Sequence, residues 1–219
     1  MIADQTARTK KQGEHAMKLY YSPTSPYVRK VMVLLHESGQ LDDVDLDTAG
    51  GTPLAPAEAL VGKNPLAKVP ALERPDGPTL FDSRVICAYL DARGGAGFYP
   101  DGARRWDVLT LEALADGMLD AALLITYEAR LRPEDKRWDS WTDSQWDKIA
   151  RACSALEERW MAHLSGPLDM GQIAVGCALG YLDLRHDARG WREGHPALAA
   201  WFAGFESRPS MMATRPPAG

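Results

Sequence analysis

The N-terminal part of the chain alternates short apolar runs with apolar residues at helical spacing. Residues 18–21 form an apolar run that predicts a strand, and residues 28–35 repeat apolar side chains at the spacing of a helix. A weaker alternation over residues 44–46 indicates a second strand. The following stretch is rich in glycine, proline and alanine, and we expect only a short helix there, near residues 56–60.

Two further apolar runs and one helix complete this part of the chain. The runs at residues 68–72 and 79–81 are joined by Pro75-Asp76-Gly77, a turn sequence, and therefore predict a β-hairpin. The hairpin leads into Asp82-Ser83, either of which can cap a helix that carries apolar residues over 85–90. The resulting order, β-α-β followed by β-β-α, predicts an α/β domain.

Beyond a glycine cluster at residues 94–97, every apolar repeat has helical spacing. We expect helices over residues 111–125, over 142–160, from Asp169 onward and from Pro196 to before Arg208. Thr142 with Gln145, and Asp169 with Gln172, have the spacing of a capping box, which would start two of these helices. Gly176 and Gly180 lie four residues apart within one helix, which indicates close helix packing. The C-terminal part is therefore predicted to be an all-α bundle.

The composition is that of an ordinary globular protein, with 45% hydrophobic and 25% charged residues among 219. A net charge of −5 argues against nucleic acid or an anionic membrane as the main partner. No apolar run approaches the roughly 20 residues that span a bilayer. Residues 1–16 have neither periodicity nor an apolar block, so we interpret them as a disordered extension or a cloning remnant rather than a secretory signal.

The chain offers little for metal binding or disulfide formation. Its three cysteines, Cys87, Cys153 and Cys177, are scattered within apolar helical patterns, which favours reduced structural thiols and a cytoplasmic location. Its five histidines show no ligand spacing, so we expect no metal site.

Three hydroxyl side chains, Ser22, Thr24 and Ser25, lie where the first predicted strand meets the first predicted helix. Backbone N–H groups at a helix start are unpaired and carry partial positive charge, so such a turn can stabilise an anion, including a thiolate. On local evidence alone, the better interpretation of these residues is that they serve only as turn and capping residues beside prolines.

Five local motifs, in this order, resemble the cytosolic glutathione transferases, and in particular their bacterial, serine-dependent members. They are SPTSPYVRKV from Ser22, NPLAKVPAL from Asn64, LFDS from Leu80, GYLDLR from Gly180 and RPS from Arg208. The resemblance implies a thioredoxin-like domain with a mixed four-stranded sheet over residues 17–96, a linker over 97–102 and an all-α domain over 103–219.

The resemblance also implies a function. The protein would be a transferase in detoxification that uses glutathione as co-substrate, without a metal, and attacks a small hydrophobic electrophile with the thiolate. A homodimer is implied as well. Isomerase, dehalogenase or lyase chemistry on the same fold is an alternative, as is a non-catalytic binding protein. No cysteine lies in the first turn, which argues against thioltransferase or dehydroascorbate reductase chemistry.

The residues that match the family's motifs are expected to form one site. Ser25 takes the position of the catalytic hydroxyl, with Ser22 second and Thr24 open as a third choice. The glutathione-binding set implied by the resemblance is Lys68, Val69, a cis Pro70, Asp82 and Ser83.

Other residues of the chain are open to two interpretations. Glu112, Asp116 and Asp120 repeat every four residues, which is unfavourable for like charges, so a cation is expected opposite unless the face is simply solvated. A subunit interface carrying Arg84 or another arginine is one source of that cation.

Three large side chains of the same predicted helix, Trp106, Met118 and Tyr127, could line an electrophile pocket or belong to the core. We expect Arg29 to be exposed or in a structural ion pair rather than catalytic.

Overall fold

The computed structural model describes residues 17–217, and it begins with a four-stranded sheet of order β2-β1-β3-β4. The strands are β1 Met17–Tyr21, β2 Val44–Thr48, β3 Ala71–Arg74 and β4 Gly77–Leu80. β1 runs parallel to β2 and antiparallel to β3, while β3 and β4 form the predicted hairpin. The mixed, thioredoxin-like sheet expected of the N-terminal domain is therefore confirmed.

Three helices accompany the sheet: α1 Pro26–Glu37, α2 Glu58–Val61 and α3 Ser83–Gly94. Proline at the first position of α1 suits a helix start, because its missing N–H would be unpaired there anyway. α3 is capped by Gly95, whose φ of 63° lies in the left-handed region that glycine adopts without strain.

The remainder of the described chain is helical, as predicted. The helices are α4 Arg104–Leu131, α5 Asp139–Ala155, α6 Met161–Leu164, α7 Met170–His186, α8 Pro196–Phe205 and α9 Pro209–Ala213, with a π-helical turn over Leu156–Trp160 between α5 and α6. α7 starts with the predicted capping box of Asp169 and Gln172. Cys87, Cys153 and Cys177 are buried free thiols in α3, α5 and α7.

The predicted capping box of Thr142 and Gln145 is wrong. α5 begins three residues earlier, at Asp139, and the Thr142 hydroxyl donates to the Asp139 carbonyl oxygen (2.8 Å) inside the helix. The true start depends on a distant group, because the N–H of Trp138 donates to the Glu128 carboxylate on α4 (3.0 Å).

The expectation that α8 is the last helix is also wrong, since α9 follows it. The Arg208-Pro209 pair that ends one helix also starts the next, because proline is favoured at a first helical position. Two side chains hold this start against α1: the Arg208 guanidinium donates to both oxygens of Glu37 (2.9 Å each), and the Ser210 hydroxyl also donates to Glu37 (2.5 Å).

The two glycines of α7 allow close packing, as predicted. A Cβ atom on Gly176 would lie 2.5 Å from the Phe205 ring, and one on Gly180 would lie 2.5 Å from the Arg29 guanidinium. The prediction that Arg29 is exposed or in an ion pair is wrong. Its side chain is buried and forms no ion pair with any described residue. It donates instead to the Met211 carbonyl oxygen (3.0 Å), near the end of α9.

Within residues 17–217, we find no helix that combines the length and the apolar character needed to cross a membrane.

Candidate functional site

The first part of the site is the turn between β1 and α1. Ser25 is the N-cap of α1, and its hydroxyl oxygen accepts the N–H of Val28 at 3.4 Å, a long contact for a capping bond. The Ser25 N–H donates to the Ser22 carbonyl oxygen (3.1 Å), which closes the turn. The half-buried Ser25 hydroxyl is thus fixed at the positive end of a helix and keeps its own hydrogen for another acceptor.

The other two hydroxyls of this turn are differently placed. The oxygens of Ser22 and Thr24 lie 3.5 Å apart, at the limit of a hydrogen bond, and neither caps the helix. The structure therefore brings all three hydroxyls together, but it puts only Ser25 at the helix start.

The second part of the site is the loop that leads into β3. The Val69–Pro70 peptide bond is cis, as the family resemblance implied. Because Tyr20 of β1 pairs with Ala71 of β3, the sheet brings this loop to the carboxyl end of β1, beside the hydroxyl turn. Among residues 17–217, the N–H and C=O of Val69 have no hydrogen-bonding partner. They form a free edge that an extended peptide can pair with.

The same loop is held by a residue that the sequence analysis did not select. Asn64 is buried, its side-chain amide donates to the Lys68 carbonyl oxygen (2.9 Å), and its side-chain oxygen accepts the Leu66 N–H (3.0 Å). The Lys68 side chain itself is exposed. The signal for Asn64 was its place at the head of the NPLAKVPAL motif, since a buried asparagine commonly fixes a loop through its own backbone contacts.

The third part of the site is the start of α3. Asp82 is the N-cap, and its carboxylate accepts both the backbone N–H and the guanidinium of Arg84 (3.0 Å each). Partial burial alone would raise the pKa of Asp82, but these contacts with Arg84 outweigh it and hold the pKa below its usual range. Ser83 is only 1% exposed and forms no side-chain hydrogen bond within the described part of the chain. One helix start therefore presents a carboxylate and an uncommitted hydroxyl.

The acidic row of α4 meets a cation from its own chain. The fully buried Lys30 ammonium of α1 lies 2.5 Å from a carboxylate oxygen of Asp116 and 3.6 Å from one of Glu112. Arg84 approaches Asp116 from α3 at 3.5 Å. The expectation of an opposing cation is confirmed, and a solvated face is excluded for Glu112 and Asp116.

Two carboxylates compete for one buried ammonium in this cluster. Burial lowers the pKa of Lys30, but Asp116 and Glu112 together raise it by more. The pKa therefore lies above its usual value, and the ammonium stays charged. Burial raises the pKa of both Glu112 and Asp116, against the opposing effect of Lys30. One oxygen of Glu112 accepts from the Tyr99 hydroxyl (2.9 Å), and the other is buried without a hydrogen bond from the residues described.

Asp120, the outer member of the acidic row, contacts the first turn of α1, which directly follows Ser25. It is exposed, and it accepts a short hydrogen bond from the hydroxyl of Tyr27, the second residue of α1. This contact joins α4 to the start of α1 at the edge of the site. Burial raises the pKa of Tyr27 and the hydrogen bond to Asp120 raises it further, so the phenol remains a donor.

The three large side chains considered for an electrophile pocket separate. Met118 belongs to the core, whereas Trp106 is 69% exposed near the beginning of α4. Tyr127 is half-buried. It follows Asp120 by seven residues, about two helical turns, and so lies on nearly the same face of α4. Tyr127 therefore lies on the face of α4 that contacts α1 through Tyr27.

No group of three histidine, cysteine, aspartate or glutamate side chains within residues 17–217 is arranged to hold a metal ion. The chemistry available at this site comes from hydroxyls, backbone groups, carboxylates and helix N-termini.

Comparison with known proteins shows what this arrangement is similar to. Residues 24–93 match the model of the glutathione S-transferase N-terminal domain, and residues 139–204 match that of the C-terminal domain. The chain is 34% identical over 205 residues to the uncharacterized GST-like protein YibF of Escherichia coli K12, covering 92% of this chain and 99% of that protein.

Two solved structures of a glutathione transferase family member from Pseudomonas fluorescens Pf-5 are similar over the whole fold. The one with bound glutathione is 52% identical, with a TM-score of 0.90, and the match covers 92% of this chain and 99% of that one. The one with bound S-(propanoic acid)-glutathione is 51% identical, with a TM-score of 0.86, and the match covers 92% and 100%.

Proposed function

Because the chain belongs to the glutathione S-transferase family, we propose that it binds glutathione and activates the thiolate for attack on a small hydrophobic electrophile. The observation that carries this proposal is the Ser25 hydroxyl at the N-terminus of α1, beside the free edge of Val69. Glutathione bound in the similar Pseudomonas protein supports the choice of co-substrate.

Activation of the thiol is the task assigned to Ser25. A free thiol has a pKa of about 8.5, so only a few per cent is ionised at neutral pH. A serine oxygen can accept the Val28 N–H and donate its own hydrogen to sulfur at the same time. The helix dipole acts in the same direction, so the thiolate would be favoured and its proton released to solvent. Ser22 and Thr24 are the reserve donors of the same turn.

The remaining groups would hold the tripeptide. The N–H and C=O of Val69, presented by the cis Pro70, would pair with the cysteinyl amide as an added strand does. The Asp82 carboxylate would accept the γ-glutamyl ammonium, while the hydroxyl and N–H of Ser83 would donate to the γ-glutamyl carboxylate. The exposed Lys68 would pair with the glycine carboxylate.

The class of electrophile is the finer part of the proposal. The ligand of the similar Pseudomonas protein carries a propanoic acid on the glutathione sulfur. Addition of a thiolate to the β carbon of acrylate gives a substituent of that kind: the S–C bond forms, the π electrons move to the α carbon, and that carbon takes a proton from solvent. We therefore place small activated alkenes first among the substrates to test, before aryl halides, epoxides and peroxides.

A homodimer in the cytoplasm is proposed with the enzyme. The three buried free thiols support a reducing compartment. The exposed side chain of Val85, on α3 beside Arg84, would become buried if this face met a second copy. Light scattering coupled to size exclusion measures the oligomeric state directly.

The test of the catalytic role is Ser25→Ala, with Ser22→Ala as the matched control. We expect Ser25→Ala to lower kcat for glutathione addition by about 10- to 100-fold, because one donor to a developing anion is lost. The Kd for glutathione from calorimetry should change far less, and the apparent thiol pKa of bound glutathione should rise. Ser22→Ala should keep most of the activity.

Two outcomes would contradict the proposal. Equal turnover in Ser25→Ala would remove Ser25 from its role. Absence of glutathione binding at millimolar ligand would instead favour a non-catalytic protein that kept the fold.

A further inference from the structure

The guanidinium of Arg29 is a buried cation without a carboxylate partner. Arg29 is 7% exposed, and no carboxylate within residues 17–217 lies at ion-pair distance from it. Two neutral acceptors hold the guanidinium: the Met211 carbonyl oxygen at 3.0 Å and, at the limit of a hydrogen bond, the Thr214 hydroxyl oxygen at 3.5 Å. An arginine side chain stays protonated in proteins, so this positive charge persists in the interior.

A charge placed in this way costs stability. Removing an ion from water is expensive unless a counter-ion replaces the water. The contact between α1 and α9 can hold such a pair, because Arg208 donates to both oxygens of Glu37 at the other end of α1. Arg29 lacks this compensation, and an apolar side chain in its place would avoid the cost. The role of the charge is therefore to be sought in function.

The charge lies toward the end of α1 that begins after Ser25. α9 runs antiparallel to α1, because its start contacts Glu37 and its end contacts Arg29. The Arg29 N–H donates to the Ser25 carbonyl oxygen (3.0 Å), which places Arg29 one helical turn behind the N-cap. Side chains four residues apart on a helix have Cβ atoms about 5–6 Å apart, so a sulfur bound at the Ser25 hydroxyl would lie on the order of 10 Å from the guanidinium.

The other charged groups near this end of α1 do not favour an added anion. They are Lys30 of α1, Asp82 and Arg84 at the start of α3, and Glu112, Asp116 and Asp120 of α4. Carboxylates outnumber cations in this set, even if burial, which raises the pKa of Glu112, keeps that group protonated.

The remaining titratable groups around α1 are neutral or distant. The neutral ones are the thiols and phenols of Tyr27, Cys87, Tyr99, Cys177 and Tyr181. His36, Glu37 and Arg208 lie at the opposite end of α1, and α9 has no titratable side chain over Pro209–Ala213. Arg29 is thus the cation of this region that no described carboxylate neutralises.

A thiol of the protein itself responds to this charge. Burial raises the pKa of Cys177 to about 11, and the positive charges of Arg29 and Lys30 act against that rise. Cys177 belongs to α7, which approaches Arg29 so closely that a Cβ atom on Gly180 would lie 2.5 Å from the guanidinium. Attraction between a cation and a thiolate extends over such distances because the protein interior screens charge less than water does.

We propose that the unpaired guanidinium of Arg29 stabilises the thiolate of bound glutathione through its electric field, without touching it. The effect requires glutathione at Ser25 and so rests on the proposed function. The thiol proton leaves to solvent, and the guanidinium attracts the charge that remains on sulfur. At an effective dielectric constant of about 20, a unit charge about 10 Å away changes a pKa by about 1.

The sharpest test neutralises the charge in place. Thr214 is half-buried, with its hydroxyl oxygen 3.5 Å from Nε of Arg29, so Thr214→Asp puts a carboxylate beside the guanidinium. The apparent pKa of the bound thiol, followed by the ultraviolet absorbance of the thiolate, should rise by about 1. Thr214→Asn is the matched control, because it has the same shape without the charge, and it should keep the wild-type pKa.

Substitution of Arg29 itself is the second arm. Arg29→Gln removes the charge and keeps a donor for the Met211 carbonyl oxygen, whereas Arg29→Lys keeps both. Arg29→Gln should raise the thiol pKa by about 1 and lower kcat about 10-fold at pH values below the wild-type thiol pKa, with a smaller loss at high pH. The KM for glutathione should change by no more than about 2-fold. Arg29→Lys should retain the wild-type pH profile.

Two results would overturn the proposal: an unchanged thiol pKa in Thr214→Asp, or equal thiol pKa values in Arg29→Gln and Arg29→Lys. A merely structural Arg29 would lower stability in its variants and leave the thiol pKa unchanged. If Arg29→Gln does not fold, the Thr214 pair decides, because this position lies just after the end of α9. Either result in a wild type that binds glutathione leaves the proposed function standing, whereas no glutathione binding overturns both.

Discussion

Helix α4 packs against α1 through buried charge and against α7 through small and aliphatic side chains. On the α1 side, Lys30 lies between Glu112 and Asp116. On the α7 side, Gly171 lets the helices approach so closely that a Cβ atom there would be 2.9 Å from the Cβ of Leu111. The same helix is thus held on one side by buried ion pairs and on the other by close packing of apolar side chains.

The two contacts respond differently to change. A buried ion pair is expensive to break, because the partner that remains is left charged and unpaired in the interior. An apolar contact loses or gains free energy in proportion to the volume that changes, and neighbours can partly relax. The charged contact should therefore be the more sensitive of the two to a single substitution.

Lys30→Met gives the largest expected effect. It should lower the free energy of unfolding by about 3–5 kcal/mol, because Glu112 and Asp116 lose their buried counter-charge. Denaturant titration measures the change. The control is Lys63→Met, which removes an exposed cation from its pair with Glu73 and should cost far less, because solvent screens an exposed pair. Equal losses in the two variants would show that burial of the Lys30 pair carries no special weight.

The same variant should also change the pH dependence of stability. Without Lys30, burial would hold the pKa values of Glu112 and Asp116 further above their unfolded values. Such groups favour the folded state below the unfolded pKa, and this contribution is lost as pH rises through the folded pKa. The deficit of Lys30→Met should therefore be smaller at about pH 5 than at about pH 8. Unfolding curves across this range check it, and a deficit independent of pH would contradict it.

Gly171→Ala should have a smaller effect, on the apolar side of α4. The added methyl group would meet Leu111, and overpacking of this kind costs about 1–3 kcal/mol. Gly117→Ala is the matched control, because no atom lies within 4 Å of its added Cβ and the position is exposed in the middle of α4. That control should gain up to about 1 kcal/mol from helix propensity. Thermal unfolding of both variants distinguishes the two signs.

The comparison also separates what a local pattern can predict from what it cannot. The strands, the hairpin, the main helices and the Asp169 capping box follow from neighbouring residues, and all are confirmed. The acidic row of α4 required a cation, but its identity could not be read locally, because Lys30 lies 86 residues from Asp116. The prediction of where α5 starts was wrong for the same reason, because the group that binds this helix start, Glu128, is on another helix.

The candidate site shows the same division. The roles of Ser25, Val69 and Ser83 were implied by the family resemblance, since local chemistry alone predicts only turns and helix starts there. The role of Asn64 depends on burial of its side chain, and the contact of Tyr27 with Asp120 depends on how α1 meets α4. Neither has a periodic signal in the sequence.

The buried guanidinium of Arg29 joins α1 to residues near the C-terminal end of the described chain, and this contact has a consequence for the order of folding. Its acceptor atoms belong to Met211 and Thr214, which follow it by 182 and 185 residues, so they leave the ribosome long after Arg29 itself. The sheet and α1 can form earlier, but until then the guanidinium must stay hydrated, because no other described residue neutralises it. Docking of α1, which begins directly after Ser25, is therefore completed only when the residues at the end of α9 have been made.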